Sequence, residues 1–351
     1  MKILFVISTL RCGGAERVCS IIASKFSETN EVVLAKFDSS EPFYELDSKV
    51  KLVNLNQGVG DFGFLGNLKK RFSKFASLRK MIKDDKFDAV VSFLDSTNIL
   101  VLMSSVGLKT PVIISEHTSF NAPKKPIIKA LKYIFYPFAD ALSVLTKEDK
   151  GYYSKFCKNV EVIYNPGFGK NNDELSCLKE NLVIFVGRLN MLKNCAMFVR
   201  VAANLKNYGY KFIVAGDGEQ REKLQMLSKQ LGAQVEFLGN VADVEKLYKR
   251  AKILISTSIV EGLGNTLIEA IGYDCARVAT KTSGAKELIT HGFDGFLCEI
   301  NDDKIMSEMV LNLIQDETRR DELCKNARAG LWEFSVDNIY EKWLNMIKEA
   351  V

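Results

Sequence analysis

The sequence contains little histidine, no paired cysteine motif and no long apolar run, and each absence excludes a kind of protein. With only two histidines, His117 and His291, a histidine-rich metal site is not expected. No apolar run approaches the roughly 20 residues that a membrane-spanning helix needs. The eight cysteines form no CxxC pair, so we expect reduced, mostly buried thiols in the cytoplasm. The lack of a GxGxxG motif disfavours an NAD-dependent dehydrogenase.

Length and composition indicate a soluble protein of two domains. The 351 residues are 47% hydrophobic and 26% charged, which is enough chain for two cores of ordinary size. We interpret residues 1–8 as a first buried strand and not as a signal peptide, because a glycine-rich turn follows directly. Residues 1–165 carry a net charge of +7 and the remainder carries −2. The basic half indicates an anionic partner, which could be membrane phospholipid, a lipid diphosphate or nucleic acid.

Short apolar strands alternate with amphipathic helices along almost the whole chain. This alternation predicts parallel sheets with right-handed crossovers, and so an α/β fold of two Rossmann-like domains facing across a cleft. The predicted strands are 2–8, 31–36, 51–55, 88–93, 111–115, 141–144, 161–164, 182–186, 211–215, 234–238, 253–256, 277–280 and 295–299. The last predicted helices lie near 302–315, 317–331 and 336–349. The predicted domains are 1–166 and 181–334, with a linker at 167–180 and a C-terminal helix at 335–351 that packs back on the first domain.

Two carboxylates, Glu261 and Glu269, stand eight residues apart around a turn of small residues. A strand-like run precedes the first and a helix-like run contains the second. Residues 262–266 are therefore predicted to expose N–H groups at a helix N-terminus, which binds anions through free amides and the helix dipole. A diphosphate site between two carboxylates that can hold hydroxyls indicates a nucleotide-sugar. A plain helix start with acidic residues favoured by the dipole would show the same pattern.

Two further loops have phosphate-binding features. Gly13 and Gly14 follow the first strand, and they either bring the backbone close to a ligand or form a structural turn only. Arg188 and Lys193 follow the strand at 182–186, and Lys193 falls near the start of the next helix. Two cations in this place can neutralise the charges of a leaving diphosphate.

In combination these elements resemble the retaining GT-B glycosyltransferases of family 4, whose signature is Glu-x7-Glu. The resemblance runs from residue 7 to about 300 and includes Gly-Asp-Gly at 216–218, Phe-Leu-Gly-Asn-Val at 237–241 and Thr-Ser-Gly-Ala-Lys-Glu-Leu at 282–288. With Ser-Glu-His-Thr at 115–118, the chain is most similar to the N-acetylgalactosaminyltransferases of bacterial N-linked protein glycosylation. Those enzymes elongate an undecaprenyl-diphosphate-linked oligosaccharide.

The resemblance implies a role for each matching residue. Arg188 and Lys193 would hold the nucleotide diphosphate, Glu261 the hydroxyls of the transferred sugar and Glu269 the ribose hydroxyls. His117 would contact the transferred sugar or orient the acceptor, although a strand-end histidine by itself is more often a structural hydrogen bonder. The other residues implied in donor binding are Gly13, Gly14, Gly187, Gly216, Gly218, Asn240, Val241, Gly264, Asn265 and Thr266.

The implied reaction is a retaining transfer from UDP-N-acetylgalactosamine. The acceptor hydroxyl would attack the face from which the diphosphate leaves, and the leaving phosphate oxygen would take its proton. Arg188, Lys193 and the amides of residues 264–266 would stabilise the leaving group. No Asp-x-Asp triplet is present, so no metal and no other cofactor is expected.

A basic amphipathic helix is predicted over residues 65–86. Its apolar positions are Leu65, Leu68, Phe72, Phe75, Leu78 and Ile82. One member of the N-acetylgalactosaminyltransferases that the chain resembles adds several sugars in succession. In that member, a basic helix in the corresponding place engages the lipid diphosphate of the acceptor. The residues implied in that role here are Lys69, Lys70, Arg71 and Lys74. With a second basic stretch at 124–132 and aromatic residues at 133–138, this predicts a peripheral protein on the inner face of the plasma membrane, bound to anionic lipid and not to nucleic acid.

Two alternatives stay open at this point. The same fold with another donor sugar would serve a lipopolysaccharide or capsule glycosyltransferase. A UDP-N-acetylglucosamine 2-epimerase shares the fold but needs further acid and base groups, which the scarcity of histidine and the Glu-x7-Glu pattern disfavour.

Overall fold

The structure is a computed structural model that describes residues 1–55, 63–167 and 179–351, with side chains from residue 72 onward in the helix that begins at Gly63. The described chain divides into two compact units, Met1–Pro166 with Ser335–Val351, and Gly167–Phe334. In the part of the chain that is described, no helix is long and apolar enough to cross a membrane.

The first unit contains a parallel sheet with strand order β3-β2-β1-β4-β5-β6-β7. Its strands are β1 (Lys2–Ile7), β2 (Glu31–Lys36), β3 (Lys51–Asn54), β4 (Ala89–Phe93), β5 (Val112–Ser115), β6 (Ala141–Val144) and β7 (Val160–Val162). Its helices are α1 (Gly14–Ser27), α2 (Gly63–Asp84), α3 (Asp95–Ser105), α4 (Pro126–Phe135), α5 (Lys147–Tyr153) and α13 (Val336–Ala350). A 3-10 turn, Tyr136–Phe138, extends α4.

Helices cover both faces of this sheet, which explains the continuous apolar runs of its strands. Phe5 of β1 packs with Phe26 of α1 and Trp343 of α13 on one face. Leu4 of the same strand packs with Leu78 of α2 on the other. The C-terminal helix α13 is therefore part of the first unit's core.

The second unit repeats this architecture with strand order β10-β9-β8-β11-β12-β13. Its strands are β8 (Glu180–Val186), β9 (Lys211–Ala215), β10 (Val235–Gly239), β11 (Ala251–Ser256), β12 (Ala276–Thr280) and β13 (Phe296–Cys298). Its helices are α6 (Cys195–Asn204), α7 (Arg221–Leu231), α8 (Glu245–Arg250), α9 (Asn265–Gly272), α10 (Ser283–Leu288), α11 (Asp303–Gln315) and α12 (Glu317–Arg328).

All thirteen predicted strands are present in the described chain, with ends shifted by one or two residues. The basic helix is also present as α2, but its predicted apolar stripe is wrong at Phe72. Leu78 and Ile82 are buried against the sheet, whereas the Phe72 side chain is 71% exposed. Leu65 and Leu68 lie outside the described side chains.

Candidate active site

In the second unit, the direction of winding reverses between β8 and β11. Strands β9 and β10 follow on one side of this point, and β12 and β13 on the other. The loops that leave β8 and β11, residues 187–194 and 257–264, therefore diverge at the carboxyl edge of the sheet. Ligands of doubly wound sheets bind in such a crevice. The predicted residues Arg188, Lys193 and Glu261 all lie in these two loops.

Lys193 and Glu261 meet in a direct ion pair between Nζ and Oε2. Ser258 Oγ donates a second hydrogen bond to the same carboxylate oxygen at 2.9 Å. The two side chains keep 27% and 19% of their surface exposed, so a ligand can reach both. An anion that binds here competes with Glu261 for the amine, since phosphate oxygens accept equally strong charge-assisted hydrogen bonds.

The backbone at Lys193 is fixed from two sides. Asn190 caps the 3-10 turn Met191–Lys193 by accepting from the Lys193 N–H at 3.0 Å. Thr257 Oγ1 donates to the Lys193 carbonyl at 2.9 Å. These bonds tie the loop after β8 to the loop after β11, which brings the amine to Glu261.

Sequence reasoning does not find Asn190, Thr257 or Ser258. Only Ser258 leaves a signal, because a serine three residues before a carboxylate is typical of a local side-chain turn. The other two act through backbone groups that become neighbours only once the sheet has formed.

The two carboxylates of the Glu-x7-Glu segment have different surroundings. Glu269 lies in the second turn of α9, where it is buried and has interaction partners. Gly264 precedes α9 with a φ of +83°, a left-handed conformation that suits glycine. Asn265 and Thr266 form the first turn of the helix. Glu261 is therefore the carboxylate that faces solvent in the described structure.

The segment at 282–288 packs directly behind this turn. Thr282 caps α10 by accepting from the Ala285 N–H at 3.2 Å. A Cβ atom on Gly284 would lie 2.6 Å from the Gly262 carbonyl oxygen, so glycine is required for the contact. The packing holds the backbone of the turn before α9 in place.

Three predicted donor-binding glycines also have a structural reason. Gly187 and Gly216 have φ values of +155° and +143°, and a Cβ on Gly216 would lie 1.9 Å from the Gly187 carbonyl oxygen. A Cβ on Gly218 would lie 2.4 Å from the Leu189 carbonyl oxygen. These glycines let the loops after β8 and β9 touch through their backbones, and donor contact by them stays a prediction.

We expect Gly216→Ala to lower the free energy of unfolding by about 3 kcal/mol, because it combines backbone strain with a backbone clash. Gly209→Ala is the matched control, since Gly209 has a φ of +71° but open space around the Cβ position. It should cost about 1 kcal/mol from strain alone. Urea denaturation of both variants measures the difference, and equal losses would contradict the close approach.

The remaining donor-loop residues lie near the same edge of the sheet. Arg188 is exposed, and within the described residues its guanidinium has no ion-pair partner. Asn240 and Val241 follow β10, whose last residue, Gly239, accepts a hydrogen bond from the Gly216 N–H at 2.7 Å. The loops after β8, β9 and β10 are thus linked in series through backbone contacts.

In the first unit, His117 leaves the carboxyl end of β5. Its Nε2 lies 3.0 Å from Ser115 Oγ, and Ser143 Oγ donates to the same Ser115 Oγ at 2.7 Å. The ring stacks on Phe93 at a centroid distance of 5.4 Å. Within the described residues, Nδ1 is buried without a hydrogen-bond partner.

Burial and the serine contacts favour one proton arrangement of His117. Burial lowers the pKa of His117 to about 4, so the ring is neutral near pH 7. Because Ser143 donates to Ser115 Oγ, the Ser115 hydroxyl can in turn donate to Nε2, and we infer this direction for the chain. The ring proton then lies on Nδ1, the atom without a partner in the described chain. Ser115 and Ser143 are residues that sequence reasoning misses.

A side chain of α1 occupies the space beside the Gly-Gly loop. A Cβ on Gly13 would lie 2.1 Å from Glu16 Oε2, so the Glu16 carboxylate occupies the space beside Gly13. Gly14 is the first residue of α1. An anion that took the place beside Gly13 would have to displace the Glu16 carboxylate. Sequence reasoning does not foresee this obstacle to the predicted donor contact.

Of the predicted lipid-diphosphate residues, only Lys74 has a described side chain. Its Nζ lies 5.1 Å from the centroid of the Phe37 ring, just beyond the carboxyl end of β2. Asp38, the next residue, forms an ion pair with Arg11 of the Gly-Gly loop at 3.3 Å. Lys74 therefore lies near the residues that hold this loop. Lys69, Lys70 and Arg71 lie outside the described side chains.

Two of the four lysines in the second basic stretch, residues 124–132, do not face solvent. Lys124 and Lys132 are turned inward, with Lys124 Nζ 2.7 Å from Asp95 Oδ2 and Lys132 Nζ 2.9 Å from Glu116 Oε2. The hydroxyl of Tyr136 also donates to Glu116. Burial raises the pKa of Glu116, although Lys132 and Lys124 oppose this shift. The buried network anchors α4 to α3 and to the exit of β5.

As for metal ligands, the described residues contain no group of three or more His, Cys, Asp or Glu side chains placed to hold an ion.

Comparisons with known proteins extend over the whole chain. Residues 12–166 match the family described as Glycosyltransferase Family 4, and residues 170–330 match the family described as Glycosyl transferases group 1. A Campylobacter jejuni protein named GalNAc-alpha-(1->4)-GalNAc-alpha-(1->3)-diNAcBac-PP-undecaprenol alpha-1,4-N-acetyl-D-galactosaminyltransferase is 42% identical, with 100% of this chain and 99% of that protein covered. The amylovoran biosynthesis glycosyltransferase AmsD of Erwinia amylovora is 28% identical, with 99% of each covered.

Solved structures show the same fold at lower identity. Anabaena Alr3699/HepE, in complex with UDP and glucose, gives a TM-score of 0.83 at 20% identity, with 99% of both chains covered. Sucrose-phosphate synthase from Thermosynechococcus elongatus gives 0.86 at 14% identity, also with 99% of both covered. The predicted fold class is confirmed.

Proposed function

Because this chain belongs to the family-4 glycosyltransferases of GT-B fold, we propose that it moves an N-acetylhexosamine from a UDP-sugar to a lipid-diphosphate-linked oligosaccharide, with retention of configuration. The observation that carries the proposal is the partly exposed Lys193–Glu261 pair at the winding reversal of the second unit. N-Acetylgalactosamine is the favoured sugar, since the 42% identical relative is named for its transfer.

In the proposed donor site, Lys193 and Arg188 bind the diphosphate together with the first amides of α9. Glu261 then accepts hydrogen bonds from hydroxyls of the transferred sugar, and Glu269 from the ribose. The existing ion pair supports this assignment, because diphosphate binding draws Lys193 away and frees a Glu261 oxygen. Arg188 is exposed and can turn to the same anion.

The proposed chemistry is attack on one face of the sugar. The bond from the acceptor oxygen to the anomeric carbon forms as the bond to the β-phosphate oxygen breaks, and the acceptor proton passes to that phosphate oxygen. A double displacement would need a free nucleophilic carboxylate close to an acid. Glu261 accepts a hydrogen bond from Ser258 and, in this proposal, binds the sugar hydroxyls, while Glu269 is buried, which supports the direct route.

For the acceptor, we propose a polyprenyl-diphosphate saccharide at the inner face of the plasma membrane. The relative's name includes such an acceptor, and the net charge of +7 over residues 1–165 suits anionic lipid. Lys74 is the described candidate for the lipid diphosphate. His117 Nδ1 is the candidate donor of a hydrogen bond to a sugar oxygen, since it lacks a partner among the described residues.

Thermal unfolding with nucleotide ligands tests the donor assignment. With EDTA present, we expect UDP and UDP-N-acetylgalactosamine at about 100 times their Kd to raise Tm by several degrees, because ligands that bind only the native state stabilise it. UDP-N-acetylglucosamine should give a smaller shift, and GDP-mannose and NAD none. A shift with GDP-mannose or NAD alone would contradict the UDP-sugar assignment, whereas a shift that EDTA abolishes would contradict metal independence.

A second candidate is a capsule or lipopolysaccharide glycosyltransferase with another donor sugar. The 28% identity to the amylovoran enzyme over 99% of this chain supports it. The same thermal series distinguishes the two, because this alternative predicts the largest shift with a different UDP-sugar.

A further inference from the structure

Helix α4 presents apolar side chains on both sides, although only one side packs on the protein. Ile128, Leu131 and Phe135 pack against the core of the first unit. The opposite side exposes Ile127 and Ile134, with 59% and 56% of their surface accessible. The following 3-10 turn adds Phe138, which is 72% exposed.

The outward residues form one continuous stripe. Positions 127, 130 and 134 recur at intervals of three and four residues, which places them on one side of α4, and Phe138 follows in the 3-10 turn. We call Ile127, Ala130, Ile134 and Phe138 the α4 face; it is about 16 Å long by helix geometry. Single exposed apolar residues are ordinary on protein surfaces, whereas a contiguous apolar stripe marks an interaction site.

The charged residues of the segment that carries the α4 face are all lysines, and the exposed Asp140 follows just beyond it. Residues 121–139 contain no Asp or Glu. Lys125 and Lys129 are exposed, and neither has an ion-pair partner within the described residues. By contrast, Lys132 of α4 and Lys124 just before it turn inward to Glu116 and Asp95, and these ion pairs fix the orientation of the helix. The stripe faces solvent because the opposite side of α4 packs on the core and forms the Lys132 ion pair.

An aromatic residue with a polar tip borders the stripe. Tyr133 is exposed, and its hydroxyl lies 2.6 Å from the Tyr152 hydroxyl of α5. Its ring lies 4.7 Å from the Phe156 ring, and the exposed Lys155 follows in the same segment. Amphipathic rings and lysines beside an apolar stripe are typical of surfaces that lie in the headgroup region of a bilayer.

We propose that the α4 face inserts into the headgroup region of an anionic bilayer, with Lys125 and Lys129 at the level of the lipid phosphates. A bilayer fits better than a protein groove, because the apolar stripe is exposed lengthwise and the charged residues of its own segment, 121–139, are all lysines. The biological reason for membrane binding rests on the proposed function, in which the acceptor is lipid-linked. The exposure and charge of the α4 face do not depend on that proposal. In this proposal both apolar insertion and charge attach the protein to the membrane. Because salt screens only the charge contribution, binding should persist at high salt.

Vesicle flotation of the full chain tests the α4 face. The vesicles contain phosphatidylcholine with or without phosphatidylglycerol, in 0.1 M or 0.5 M NaCl. We expect Ile127→Ser/Ile134→Ser/Phe138→Ser to lower partitioning into anionic vesicles by about tenfold or more at both salt concentrations, since buried apolar area sets interfacial affinity. Lys125→Gln/Lys129→Gln should lower it only at 0.1 M NaCl, where charges are poorly screened.

Met226→Ser is the matched control, because Met226 is an equally exposed apolar residue of the second unit. It should partition like the unsubstituted protein. Wild-type partitioning by the triple variant, at an unchanged Tm, would overturn the proposal. So would a concentration-dependent dimer that the triple substitution dissociates, since the α4 face would then bind a second copy.

Transfer assays separate this inference from the proposed function. The triple variant should keep its rate on a water-soluble short-chain acceptor and lose rate on the same saccharide held in vesicles. If the unsubstituted protein transfers no sugar from any UDP-sugar, the proposed function fails while flotation still decides the role of the α4 face. Equal loss on soluble and vesicle-bound acceptors would overturn the assignment of the α4 face to membrane binding.

Discussion

Replacement of Lys193 by Ala should lower kcat/KM for transfer by about 1000-fold while leaving Tm almost unchanged. The amine is the proposed partner of charge that develops on the leaving diphosphate, and loss of one such group typically costs about 100- to 1000-fold in rate. We also expect UDP to bind about 10- to 100-fold more weakly, because a hydrogen bond to a charged group is lost. Steady-state kinetics and calorimetric titration with UDP measure the two effects.

Glu261→Gln should separate transfer from nucleotide binding. The amide keeps the shape of the carboxylate but removes the charge that holds Lys193 in the empty site. We therefore expect UDP affinity to be equal to or higher than that of the unsubstituted protein, whereas kcat/KM should fall by about 100-fold because hydroxyl recognition is weakened. Parallel losses of UDP affinity in both variants would contradict the separate roles.

Lys249→Ala provides the control for both substitutions. Lys249 forms an ion pair with Glu245 at 2.9 Å in the same unit, and its side chain is 28% exposed, close to the value for Lys193. An ion pair of this exposure contributes little to stability. Its removal should change neither UDP binding nor transfer, and a similar loss of activity would indicate a general effect of charge.

The strands and the general location of the donor loops could be predicted from the sequence because both depend on local patterns. A strand covered on both faces is a continuous apolar run, and the loop residues Arg188, Lys193 and Glu261 are placed by the ends of such runs. The ion pair between Lys193 and Glu261 could not be predicted. It depends on β8 and β11 becoming neighbours in the sheet and on Thr257 holding the Lys193 carbonyl.

The sequence did not predict which long side chains of a helix face solvent and which turn inward. A count of lysines predicts that residues 124–132 are basic at the surface, but Lys124 and Lys132 turn inward to Asp95 of α3 and to the buried Glu116 after β5. Phe72 fits the apolar period of α2 and is nevertheless exposed. In both cases the pattern predicts the helix correctly, whereas the direction of a long side chain depends on partners that are distant in sequence.

His117→Asn should retain much more transfer activity than His117→Gln. The side-chain amide of Asn can present an N–H close to the position of the histidine Nδ1, whereas that of Gln reaches the position of Nε2. Because Ser115 and Ser143 direct a proton to Nε2, the atom available to a ligand is Nδ1. We expect His117→Asn to stay within about tenfold of the unsubstituted kcat/KM, and His117→Gln and His117→Ala to lose about 10- to 100-fold, the range for a hydrogen bond to a ligand.

The reverse order of activity, with Gln better than Asn, would show that Nε2 faces the ligand and that the serine chain does not set the proton. Ser115→Ala removes the donor to Nε2, so the ring proton can move to Nε2 and activity should fall although His117 is intact. The pH dependence gives a further readout. With the pKa of His117 lowered to about 4, the neutral ring persists from pH 6 to 8, and His117 should add no step to the rate profile in that range. A histidine acting as a proton-transfer group near its usual pKa of about 6.5 would instead produce a step there, which His117→Asn would abolish.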